Sequence, residues 1–80
     1  MRVHIGAMNR RLAEHVRAEL RAEMGRQGLT GSDVAHRMGT YPQWINRRVN
    51  GKGRIDLDDL EAIARALNIS AAQLVAGAAA

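Results

Sequence analysis

The sequence predicts an all-α fold, a compact bundle of about five helices, and three observations carry that prediction. Apolar residues recur at four-residue steps, as in Leu12, Val16, Leu20 and Met24, which marks one face of a helix. Helix-start signals stand ahead of the later apolar stretches: Thr30 with Asp33, then Asp56, then Ser70 with Gln73. Composition agrees, because Ala, Leu, Arg and Glu are plentiful while there is one Trp, one Tyr and no Phe.

Taken in order, residues 1–8 form an N-terminal arm in which Val3, Ile5 and Met8 lack helical spacing. Arg2 and His4 make that arm basic, and fraying is the ordinary behaviour of such termini. Residues 9–76 form one domain, and residues 77–80 are a tail or the start of a linker, the latter expected if the chain is a fragment of a longer protein. Asn9 caps a first helix that Gly28 ends after about Gln27. Its apolar stripe faces inward, while Arg10, Arg11, Glu14, Arg17, Glu19, Arg21 and Glu23 make a solvated face with charge pairs three or four residues apart.

Thr30 and Asp33 form a capping box, each side chain satisfying a backbone N–H at the start of a second helix. Val34, Ala35 and Met38 supply its apolar side, and Gly39 ends it in the left-handed conformation. Pro42 lacks an N–H and has the φ that a first helical position needs, so a third helix follows at about 42–49. Ala35, Gly39 and Ile45 leave room for the two helices to cross closely, at about 90–120°. Residues 30–51 therefore make a helix-turn-helix.

Asn50, Gly51, Lys52, Gly53 and Arg54 read as a flexible basic loop. Asp56 caps a fourth helix with Leu57, Leu60, Ile63, Ala64 and Leu67 on its inner face and Asp58, Asp59 and Glu61 near its positive end. Asn68 ends it in a left-handed turn. Ser70 with Gln73 then starts a short fifth helix presenting Leu74 and Val75 before Gly77.

The segment TGSDVAHRMGTYPQWINRRVNG resembles the helix-turn-helix of the Cro and phage-repressor (XRE-like) family, and WINRRVNGK falls where that family commonly shows a pattern like ISRWENGK. Ile45, Arg47, Asn50, Gly51 and Lys52 are direct matches. The likeness runs from about Val16 to Leu74, since LDDLEAIARALNISAAQL is similar to the family's fourth and fifth helices. It implies a lambda-repressor-like DNA-binding domain. The chain departs from the pattern at Gly31, where a phosphate-gripping glutamine is common, and at Tyr41, where Ser or Thr usually caps. Arg48 takes a normally apolar position, so its stem is expected to pack inward with its charge reaching out. Met24 and Val49 occupy places where many members pair Arg with Glu, and the register predicts that these two apolar residues touch.

Charge sharpens the reading. Residues 1–55 hold eleven Arg/Lys against four acids, and residues 56–80 hold one against four. Between Thr40 and Ile55 there are four basic residues and no acid, the footprint of a surface that meets phosphate. The first turns of a helix in the major groove face base edges. Pro42, Gln43, Asn46 and Arg47 stand at that end of the third helix and are the candidate base-reading residues. Gln43 and Asn46 suit adenine and Arg47 suits guanine, each good pair worth about 1–3 kcal/mol of discrimination. Arg48, Lys52 and Arg54, with the backbone at Gly31 and Ser32, are the candidate phosphate contacts. Trp44 lies one step off that face, either over the sugar-phosphate backbone or, as favoured here, in core packing. The motif itself rests on Ala35, Gly39, Ile45, Met24 and Val49.

Other classes find little support. Eighty residues suffice for one modest core without a buried substrate cavity, so an enzyme is not expected. There is no cysteine, and His4, His15 and His36 lack zinc-motif spacing, so no metal or other cofactor is expected and the histidines read as surface residues. No stretch approaches a signal sequence or the roughly 20 apolar residues of a membrane span. The expected protein is a cytoplasmic, bacterial or phage-encoded transcriptional regulator, a repressor occluding a promoter while bound at the nucleoid. Its partner is double-stranded DNA, a palindromic operator bound as a homodimer, with no small-molecule substrate evident. Leu74, Val75 and the apolar tail are candidates for the dimer surface, the other role open to them being to close the core. The alternative is an antitoxin or another protein-interaction module on the same fold.

Overall fold

The computed structural model describes residues 10–76, Arg10 by its backbone alone. The N-terminal arm, the Asn9 cap, Gly77 and the tail lie outside the described residues. Within them the chain forms five helices: α1 (Arg10–Gln27), α2 (Gly31–Met38), α3 (Pro42–Val49), α4 (Leu57–Ala66) and α5 (Ala71–Val75). α2 packs on α3, α1 on α3 and α5, and α4 on α2 and α5.

Local chemistry starts and stops these helices where the sequence indicates. Full capping boxes join Thr30 with Asp33, Asp56 with Asp59, and Ser70 with Gln73. At the other ends of α1 to α4 the chain repeats one closure. A residue with positive φ is followed by an N–H that reaches back five positions, as in Leu29 to Met24, Thr40 to Ala35, Lys52 to Arg47 and Ile69 to Ala64. The positive-φ residues are Gly28, Gly39, Gly51 and Asn68. This is the geometry of a Schellman motif, which satisfies carbonyls that a helix end leaves free.

The core gathers the inward stripes of all five helices. Val16 and Leu20 come from α1, Val34 and Ala35 from α2, Ile45 and Val49 from α3, Leu60, Ile63 and Ala64 from α4, and Leu74 from α5. Loop residue Ile55 and the α4 cap Leu67 complete it. Full burial of a Leu, Ile or Val contributes about 1.5–3 kcal/mol relative to exposure. One expectation needs correction. Leu57 shares the spacing of the α4 stripe, yet it is 56% exposed, because it is the first residue of that helix and lies beyond the cover of its neighbours. Of the two roles open to Leu74, burial gives closure of the core.

Candidate nucleic-acid interface

α3 divides its residues by periodicity. Ile45 and Val49, four apart, are buried against the other helices. Pro42, Gln43, Asn46 and Arg47 are exposed together on the opposite side, and positions three and four apart share a helical face. Pro42 opens the helix after an extended Tyr41, whose side chain makes no cap and is 76% exposed. The turn before it closes through Gly39, whose φ of 72° is accessible to glycine at little cost. Ala35 is buried, as the close crossing of α2 and α3 requires.

The loop after α3 is more ordered than its composition suggests. Gly51, at φ 80°, turns the chain so that the N–H groups of Lys52 and Gly53 both donate to the Arg47 carbonyl, at 2.7 and 3.1 Å. The Arg47 guanidinium in turn donates through Nη2 to the Lys52 carbonyl at 3.3 Å. Lys52 and Arg54 are exposed beside this turn.

Two residues on α1 hold the same end of α3, although helical spacing alone assigns both to the solvated face. Arg17 Nε donates to the Arg48 carbonyl at 2.9 Å, and its Nη2 donates to the Gly53 carbonyl at 3.4 Å. Arg21 Nη1 donates to the Val49 carbonyl at 2.9 Å. Both cations thus meet the carbonyl-rich, negative end of α3. A signal was available: 17 and 21 each follow a buried stripe residue, Val16 or Leu20, and so stand at the edge of the apolar face. Met24 packs partly buried against the core that contains Val49, so the polar tie between α1 and α3 runs to backbone carbonyls.

Arg48 departs from its expected placement. Its guanidinium carbon stacks 3.7 Å from the centroid of the Trp44 ring, Nη1 donates to the Trp44 carbonyl at 3.0 Å, and Nε lies 3.6 Å from Asp59 Oδ2. The side chain is 20% exposed and its Nε is buried without a hydrogen-bond acceptor. The charge as well as the stem therefore packs inward, because an aromatic face and a carboxylate of α4 lie within its reach. Trp44 is half-buried and packs against the core, as favoured from sequence.

At the start of α2 the Thr30 hydroxyl accepts from Asp33 N–H at 3.1 Å, and Asp33 Oδ2 accepts from Thr30 N–H at 2.8 Å. Donation by the Thr30 backbone, then by its hydroxyl, holds the Asp33 carboxyl below its ordinary pKa. Ser32 is exposed and Gly31 half-buried in this first turn. Of the histidines, His36 is exposed, whereas His15 is half-buried with Nε2 2.7 Å from the Ala76 carbonyl, tying α1 to the end of α5. Among the described residues no group of three or more His, Cys, Asp or Glu could hold a metal ion. No described helix is long and apolar enough to cross a membrane.

Two crossed helices joined by a glycine turn, the second with one polar face exposed, define a helix-turn-helix protein. The match to a family model described as a helix-turn-helix domain spans residues 15–76, and the chain belongs to that family. Among solved structures, it is similar to the clp gene regulator ClgR from Corynebacterium glutamicum, at 25% identity and a TM-score of 0.76. That match covers 85% of this chain and 88% of the other. A hypothetical transcription factor NHTF from Neisseria shares the fold, at 19% identity and a TM-score of 0.76, covering 94% of this chain and 86% of that one. No curated protein sequence matches.

Proposed function

We propose that the protein is a sequence-specific, double-stranded-DNA-binding transcriptional regulator, acting as a repressor that occludes a promoter in the cytoplasm of a bacterium or a phage-infected cell. One observation carries this reading: α3 buries Ile45 and Val49 and leaves Pro42, Gln43, Asn46 and Arg47 together in solvent. A helix presented in this way fits the major groove, where its first turns meet base edges. Gln43, Asn46 and Arg47 read bases, with Pro42 in van der Waals contact. Lys52 and Arg54, with the N–H groups of Gly31 and Ser32, hold phosphates on either side. The inward guanidinium of Arg48 takes it out of that outward set. Family membership and the likeness to a gene regulator support the same assignment. One helix reads only a few base pairs, so two copies on a palindromic operator are needed for selective binding.

The test is selection of duplexes from a random library, followed by fluorescence anisotropy of the selected and a scrambled duplex across salt concentrations. Affinity should fall with salt at a log–log slope of about −0.9 per phosphate neutralised, and the selected duplex should bind more tightly throughout. Absence of binding to any duplex at low salt would overturn the assignment and favour a protein-interaction module on this fold.

A further inference from the structure

Gly31 is the first residue of α2, and its backbone is not in the left-handed region that would call for glycine. The demand comes instead from across the helix crossing. A Cβ added at Gly31 would collide with Oδ1 of Asn46, and it would also lie 3.3 Å from Asn46 Cγ and 3.6 Å from Ile45 Cγ2. The Asn46 amide therefore fills the space that any other residue at 31 would take. Its oxygen is the atom seated there, at the positive end of α2, where a partial negative charge is favoured. The Thr30 hydroxyl caps only Asp33 in this turn, so the seat is not taken by the capping side chain. The Asn46 amide nitrogen, on the other branch of Cγ, lies farther from Gly31 than the oxygen does.

We propose that Gly31 is a positioning residue for base recognition: by having no side chain it seats the Asn46 oxygen against α2, so that Asn46 offers its NH2 donors, and not its acceptor, to the groove. This rests on the DNA-binding reading above and refines it. Bidentate pairing with adenine needs one donor and one acceptor from the same amide. With its oxygen turned against Gly31, Asn46 donates to the groove without accepting, so it meets a single acceptor, guanine O6 or N7, thymine O4 or adenine N7, and forgoes the two-point pair with adenine. Gly31 then contributes to phosphate binding through its N–H alone.

The test is a double-mutant cycle, Gly31→Ala against Asn46→Ala, read on duplexes from the library selection with every single-base substitution. Alanine is the better helix former, so Gly31→Ala should fold, and circular dichroism and thermal melting of each variant check that it does. In the parent, Gly31→Ala should change preference at one base pair of each half-site by about fivefold or more, and leave the others unchanged. In the Asn46→Ala background, the same substitution should be silent at that base pair. Asn46→Asp keeps an oxygen for the seat and replaces the donor, so it should abolish preference for an accepting base there. The proposal is overturned if Gly31→Ala has equal effects in both backgrounds, weakens all sequences alike, or leaves preference unchanged. It is also overturned if adenine is selected opposite Asn46 and purine, which lacks the N6 donors, binds more weakly there, since that pairing uses the Asn46 oxygen. No binding by the parent protein would instead refute the DNA-binding function itself.

Discussion

Arg47 and Arg48 are neighbours in sequence, yet they face different surroundings. Arg47 is exposed on the outer face of α3, with one long hydrogen bond of 3.3 Å to the Lys52 carbonyl, whereas Arg48 is packed over Trp44. Arg47→Ala should therefore relax specificity at one base pair, and Lys52→Ala should weaken binding to all sequences and reduce the salt slope by about one unit. Anisotropy on matched and scrambled duplexes separates the two, and equal effects on both duplexes would reverse these roles. Arg48→Ala should leave the salt slope unchanged and lower stability by about 1 kcal/mol, through the lost stacking and the hydrogen bond to Trp44. Urea denaturation measures that loss. Acid acts on another pair of residues. Hydrogen bonds from Thr30 hold the Asp33 carboxyl low, and those from Gln27 and then Arg26 do the same for Glu23. A lowered folded-state pKa means that the unfolded chain takes up the proton first, so the contribution is complete above the ordinary carboxylate pKa and is lost as pH falls through the folded value. Urea midpoints should thus decline on acidification below about pH 4, the ordinary Asp range. In Asp33→Asn that acid-dependent decline should be smaller.

At the scale of the helix, α3 is fixed at both ends by residues it does not contain. Its start depends on the turn through Gly39, and its end on Arg17 and Arg21 of α1. Arg17 also reaches Gly53, and so it braces the turn that carries Lys52. Arg17→Ala should cost about 1–2 kcal/mol of stability, as expected for partly buried hydrogen bonds from a charged group. It should also speed hydrogen exchange at Gly51, Lys52 and Gly53 and lower affinity for matched and scrambled DNA alike. Unchanged exchange at those three amides would show that the Schellman closure suffices without α1. These elements also explain what was legible beforehand. Capping boxes and glycine ends are written within a few neighbouring residues, so Thr30, Gly39, Pro42, Asp56 and Ser70 announce their roles directly. The bond from Arg17 to Arg48 crosses 31 positions, and nothing within α1 distinguishes a bracing arginine from a solvated one except its place at the stripe edge. The inward turn of Arg48 is illegible for a similar reason: its ion-pair partner is an α4 carboxylate, Asp59, which only folding brings near, beside the ring of its own helix's Trp44. Leu57 has the right period, but period does not say where the neighbouring helices stop. The seat of Asn46 on Gly31 was invisible because it depends on the absence of a side chain in another helix.

For the whole molecule, the operative quantity is how much sequence one copy can read. The outer face of α3 offers three long polar side chains, and each well-made base contact contributes about 1–3 kcal/mol of discrimination. Against the many competing sites of a genome, that span is too short for one copy, and a second copy doubles both the contacts and the sequence read. The homodimer proposed above would have to place its two copies of α3 on the same side of the duplex, in successive major grooves about 34–36 Å apart, with half-sites centred about one helical turn from each other. Rotation along the duplex makes this arrangement testable without knowledge of the surface that joins the copies. Inserting five base pairs between the half-sites turns one by about half a turn and puts the two copies on opposite faces. Cooperative binding should then disappear, leaving each half-site with the weak affinity of a single copy, while an insertion of ten base pairs restores facing alignment at a greater distance. Binding isotherms and footprints on the three spacings measure this. If affinity were equal on all three, the copies would be acting independently, and selectivity would have to come from the contacts of one α3 helix alone.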